Sequence, residues 1–69
     1  MTLHEAIIKI LKMQPNHTAS FKDIAVEIAK QGLYRKKNGD FPKKNQISAR
    51  VNRYPHLFIK RLPGRVQLR

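Results

Sequence analysis

Sixty-nine residues without a cysteine allow one small hydrophobic core and exclude disulfides or a thiolate metal centre as its support. At 41% apolar residues the chain is expected to fold, and its longest apolar runs, such as Ala6-Ile7-Ile8, are far too short for a membrane span. Fifteen Lys and Arg face four acids, for a net charge of +11; residues 1–34 carry +1 of it and residues 35–69 carry +10.

A basic excess confined to half of so small a chain is the electrostatic footprint of a polyanion-binding surface. A merely solubilising coat would be scattered. Glu5 stands where a secretory leader would be basic, and no cleavage-site pattern follows, so a soluble cytoplasmic protein is expected, nucleoid-associated if bacterial.

The first helix is expected from Thr2 to about Met13. Thr2 and Glu5 make a capping box, in which each side chain satisfies an amide donor of the other. Leu3, Ile7, Ile10 and Leu11 recur at helical spacing with Ala6 beside them, while Glu5 and Lys9 form a favourable i,i+4 pair on the opposite face. Pro15-Asn16 breaks this helix. Ser20 is the N-cap of a second helix reaching Gln31, with Phe21, Ile24, Ala25 and Ile28 turned inward and Gly32 as its C-cap. Val26 falls on its outer face beside Lys22 and Lys30, an isolated exposed valine of the ordinary kind.

A polar, flexible loop, Arg35 to Asp40, follows with a tight turn at Asn38-Gly39, and Phe41 anchors it to the core. Pro42 opens a third helix that runs to about Arg53. Leu57-Phe58-Ile59 and Val66-Gln67-Leu68 then read as two strands around a Pro63-Gly64 turn, with Leu57, Ile59, Val66 and Leu68 as candidate contacts to the helices, subject to register. Thr18-Ala19 is placed to add a third strand. The expected fold is α+β: a winged helix-turn-helix of three helices and a C-terminal β-hairpin wing, with residues 1–69 as one domain.

The third helix carries the most telling face. With Ile47 and Val51 in the core, Asn45, Ala49, Asn52 and Arg53 point outward, flanked by Gln46 and Ser48. Lys43 and Lys44 occupy its first turn, Arg50 lies on a shoulder, and glutamate is absent. Arg pairs with guanine edges and Asn or Gln with adenine edges in a major groove wide enough for a helix; Ala49 permits close approach. Lys60, Arg61 and Arg65 are expected to project together at the wing tip, suited to phosphates or a minor groove. Arg35, Lys36 and Lys37 supply further phosphate contacts from the loop.

Enzymatic chemistry finds little support. Three of the four acids, Glu5, Asp23 and Glu27, are explained by helix caps or surface pairing, and there is no Gly-rich phosphate loop. His4-Glu5 begins a zinc-helix pattern, but Ile8 replaces its second histidine, and His17 and His56 complete no ligand spacing. Neither metal, cofactor nor catalysis is expected.

Several fragments, in this order and spacing, resemble the HARE-HTH family of winged-helix domains. They are Thr2-Leu3-His4-Glu5-Ala6-Ile7, Phe21-Lys22-Asp23-Ile24-Ala25, Gly32-Leu33, Ile47-Ser48-Ala49-Arg50-Val51 and Gly64-Arg65-Val66-Gln67-Leu68. The family's relatives include the N-terminal domain of the delta subunit of some bacterial RNA polymerases and domains of eukaryotic chromatin proteins. The resemblance implies a winged helix with a role in DNA binding or transcription-associated complexes, without a shared catalytic activity. No counterpart of the delta subunit's acidic tail is expected, which favours direct nucleic-acid contact over association with polymerase. Duplex DNA is thus the expected partner. The alternative is a protein-interaction adaptor that docks on an acidic partner or a transcription complex; RNA stacking and membrane binding are poorly supplied with free aromatics and apolar faces.

Overall fold

The computed structural model describes residues 1–61 and 64–69. Helix α1 spans Leu3–Lys12, α2 Phe21–Gln31 and α3 Lys44–Arg53; strand β1 is Thr18–Ser20, β2 Phe58–Arg61 and β3 Arg65–Leu68. This is the α+β winged-helix arrangement expected from the pattern, and Thr18-Ala19 does add a strand.

Local chemistry sets the helix ends. The Thr2 N–H donates to Glu5 Oε1 at 2.7 Å and the Glu5 N–H to Thr2 Oγ1 at 3.3 Å, closing the capping box of α1. Ser20 Oγ accepts from the Asp23 N–H at 3.0 Å to start α2, and Gly32 ends it in the left-handed region at φ 64°. Helix α3 begins at Lys44, with Lys43 as its N-cap, and not at Pro42. The reason is Gln46, whose Oε1 accepts the Lys43 N–H at 3.0 Å and fixes the helix start there; Pro42 is instead buried just ahead of it.

Donation by the Thr2 amide and hydroxyl holds the Glu5 carboxyl below the usual carboxylate range. A group whose folded pKa is depressed stabilises the fold above its unfolded pKa and loses that contribution as pH falls through the folded value. Glu5→Gln keeps an acceptor but not the charge. It is expected to lower the melting temperature at neutral pH, with the gap from the parent closing as acid protonates Glu5. A gap that is unchanged in acid contradicts this account.

The core joins Ile7, Ile10 and Leu11 of α1, Ile24 and Ile28 of α2, Ile47 and Val51 of α3, and Ala19, Phe58 and Val66 of the sheet. A two-stranded hairpin alone is marginal in water. Here β3 lies in the middle of a three-stranded antiparallel sheet, order β1-β3-β2, with Ala19 opposite Val66 and Lys60 opposite Val66 on the other edge.

That register corrects the expected wing contacts. Phe58, at 3% exposure, is the buried residue of β2, whereas Ile59 pairs with Gln67 on the opposite face of the sheet and is only half-buried. Leu57 and Leu68 pack at the core margin as expected.

Candidate nucleic-acid interface

Helix α3 presents the face read from its sequence. Asn45, Ala49, Asn52 and Arg53 are exposed, Gln46, Ser48 and Arg50 half-buried, and Ile47 and Val51 buried. Gln46 has a second duty, because its carbonyl oxygen is engaged by the Lys43 amide. Lys43 and Lys44 are exposed at the helix start, whose first turn contains no acid. A helix N-terminus carries a partial positive charge, and anions near it stabilise by about 0.3–1 kcal/mol at exposed sites. Two ammonium groups there run against that preference. An external anion would satisfy both the lysines and the helix end.

On one flank of α3, Arg50, Arg53 and Gln46 share a groove with Lys36 from the loop; Leu3, Tyr34, Pro42 and Ala49 complete its lining, and no carboxylate takes part. The loop closes on itself as a turn. Lys36 N–H donates to Asp40 O at 2.8 Å and Gly39 N–H to Lys36 O at 2.9 Å, while Asn38 exchanges two side-chain bonds with Asp40. Gly39 makes this possible at φ 88°. Arg35 lies over Phe41, its guanidinium carbon 4.9 Å from the ring centroid; Phe41, expected to anchor the loop on the core, is instead half-buried outside the core cluster. Lys37 is exposed.

The wing departs from expectation in one respect. Arg61 and Arg65, the last residue of β2 and the first of β3, flank the turn together, but the strand pleat sends Lys60 to the other side. Lys60, opposite Val66, takes the side of the sheet that faces the helices, at its outer end; Arg61 and Arg65, opposite each other, take the other side. The Pro63 half of the expected Pro-Gly turn lies outside the described residues; Gly64 has φ 60°. Like charges directly opposite on a sheet destabilise it. Arg61 is steadied by donating from Nε to Gln67 Oε1 at 3.0 Å, and Gln67 in turn bonds to the Asn16 carbonyl at 3.3 Å.

Sequence reasoning missed the residue that links these parts. The Phe21 N–H donates to the Gly64 carbonyl at 3.0 Å, which docks the wing turn on the first turn of α2. The next residue, the exposed Lys22, lines a shallow groove with Lys43 and Lys44. The start of α2 thus lies between the wing and the start of α3. The local signal in the sequence was weak: Lys22 is a cation in the first turn of a helix, but Asp23 beside it supplies the acid that the dipole favours.

Two of the three histidines pack about Tyr54. His4 stacks on Tyr54 with ring centroids 4.3 Å apart, and His56 lies tilted at 6.1 Å from Tyr54. Among the described residues there is no group of three or more His, Asp or Glu placed to hold a metal, and no helix long and apolar enough to cross a membrane.

No curated protein and no solved structure matches the chain. A family model does match, over residues 1–69: that of the helix-turn-helix domain named for ASXL and restriction endonuclease proteins. With its three helices and three-stranded sheet, the chain belongs to the HARE-HTH family of helix-turn-helix domains.

Proposed function

We propose that residues 1–69 act as one DNA-binding domain that grips duplex DNA with α3 and the wing, in a transcription-related role. In this reading α3 enters the major groove. Asn45, Asn52 and Arg53 face base edges, Ala49 allows close approach, and Gln46 and Ser48 border the contact. Lys43 and Lys44, with Lys22 from α2, engage phosphates at the two helix N-termini. Arg61 and Arg65 hold the neighbouring backbone from the wing, and Lys60, Arg35, Lys36 and Lys37 add flanking charge. Such a protein works with the genome, in the cytoplasm and at the nucleoid if bacterial, where a transcription complex is a further partner.

The observation that supports the reading is the acid-free start of α3, where Lys43 and Lys44 are exposed beside Lys22 of α2, next to a wing joined to α2 through Gly64. Cations at the start of α3 run against its dipole, which a bound polyanion would offset; at α2 Asp23 already supplies an acid. Binding of a fluorescent duplex, followed by anisotropy at several salt concentrations, tests it. If about five phosphates are neutralised, log affinity falls with log salt at a slope near −4.5. Binding that is undetectable at low salt, or indifferent to salt, removes the proposal.

A further inference from the structure

Helix α2 carries an apolar side chain that the fold leaves uncovered. Val26 is 54% exposed; the other large apolar side chains so exposed among the described residues, Met1 and Met13, lie at the ends of α1. The valine is not isolated, as its sequence position implies. With Ala25 and Ala29 it floors a groove of about 360 Å³ whose opposite wall is Phe41 and Pro42. Ala25 and Ala29 are one turn apart, and their small side chains keep the trough open. Phe41 is held in place by the Arg35 guanidinium. Lys22, Lys43 and Lys44 complete the lining.

We propose that this groove docks an acidic, amphipathic segment of a partner protein. Its aliphatic side chains cover Val26 and Phe41, and its carboxylates meet Lys22, Lys43 and Lys44. The apolar floor argues against nucleic acid as the occupant, because a phosphate backbone gains nothing from covering Ala25, Val26, Ala29 and Pro42. The lysines argue against a purely apolar occupant, which would leave three ammonium groups unmatched. A second copy of this chain fits poorly too. Each copy carries +11, and of its four acids Glu5 is bonded to Thr2, Glu27 to Gln31 and Asp40 to Asn38. Because the three lysines also belong to the proposed DNA contact, the acidic segment and a duplex compete. The floor of the groove, by contrast, has no part in DNA binding.

The probe is a fluorescein-labelled helical peptide of about 14 residues, with Leu at i, i+3, i+4 and i+7 and Glu at most other positions. A control peptide has Ser in place of each Leu. The Leu peptide is expected to bind at least about tenfold more tightly than the control, since only its aliphatic side chains cover the groove floor. Val26→Gln, at an exposed helical position that tolerates glutamine, is expected to erase that advantage, and Val26→Leu to keep it. Duplex affinity of Val26→Gln stays within about twofold of the parent, because surface changes outside a contact are nearly neutral. Equal binding of the two peptides, or an undiminished Leu advantage in Val26→Gln, overturns the proposal. So does a parallel loss of duplex binding in Val26→Gln, which would assign the floor to the nucleic-acid contact. Failure of the parent to bind any duplex while the peptide results hold sinks the DNA reading alone.

Discussion

Replacing Lys22, Lys44 and Arg65 together with glutamine is expected to lower duplex affinity about 500-fold at 0.1 M salt. The figure follows from counterion release: affinity varies as salt to the power of about −0.9 per phosphate contact, so each contact is worth about 0.9 decades at 0.1 M relative to 1 M. Three contacts give about 2.7 decades, and the salt slope becomes shallower by about the same number. The three residues are exposed and come from three elements, α2, α3 and β3. Their loss should not unfold the protein. At the two helix starts it should even stabilise slightly, by removing cations from the positive ends of the dipoles. Anisotropy for affinity and a thermal melt for the fold check both halves. An affinity loss below about fivefold, or a loss that persists undiminished at 1 M salt, contradicts the role given to these residues.

Ile47→Ala is the substitution expected to harm the fold most among those that touch the interface. Ile47 has no exposed surface and, with Val51, provides the buried side chains of α3. Truncation of a buried isoleucine to alanine costs about 2–5 kcal/mol, through lost burial and the cavity left behind. A chain of this length has a total stability of about 3–10 kcal/mol at typical values per residue. The variant should therefore melt at least about 8 °C lower, at about 4–8 °C per kcal/mol for a small domain. Duplex binding falls with it, because the helix that carries Asn45, Asn52 and Arg53 is no longer held. Ala49→Ser, two residues on and exposed, is the control and should change stability by less than about 0.5 kcal/mol. Similar melting of the two variants would mean that α3 is not anchored through Ile47.

The helices were legible because their signals are local. Thr2 and Glu5 fix one start, Ser20 another, and Gly32 an end, each through atoms a few residues apart. The exposed face of α3 followed as soon as Ile47 and Val51 were assigned to the core. The start of α3 was harder, since Pro42 has the conventional sequence of a first helical residue, and only the bond from the Lys43 amide to Gln46 moves the boundary. In the wing, Leu57-Phe58-Ile59 has no alternation to reveal which side is buried. Pairing decides it: Ala19 of β1 sets Val66 inward, and Val66 sets Lys60 and Phe58 on the same side. Lys60, Arg61 and Arg65 consequently divide between two faces, which adjacency in sequence conceals. Lys22 carried only a weak local signal, as its neighbours Lys43 and Lys44 arrive only through the packing of α2 on α3.

The same pairing bears on the electrostatics. Arg61 and Arg65 stand opposite each other, and Lys43 and Lys44 crowd one helix start. A fold optimised for stability alone would avoid both arrangements. In the proposed reading a bound phosphate would relieve each of them and so turn a local cost into affinity for a polyanion.

Amide chemical shifts of the labelled protein, followed through a titration with a short duplex, bear most directly on that idea. The account predicts that the residues perturbed are those of the first turn of α2, the exposed side of α3 and the paired strands around Arg61 and Arg65, all saturating at one duplex concentration. Perturbation centred instead on the outer side of α1 around Lys9 and Lys12, with α3 unmoved, would contradict it.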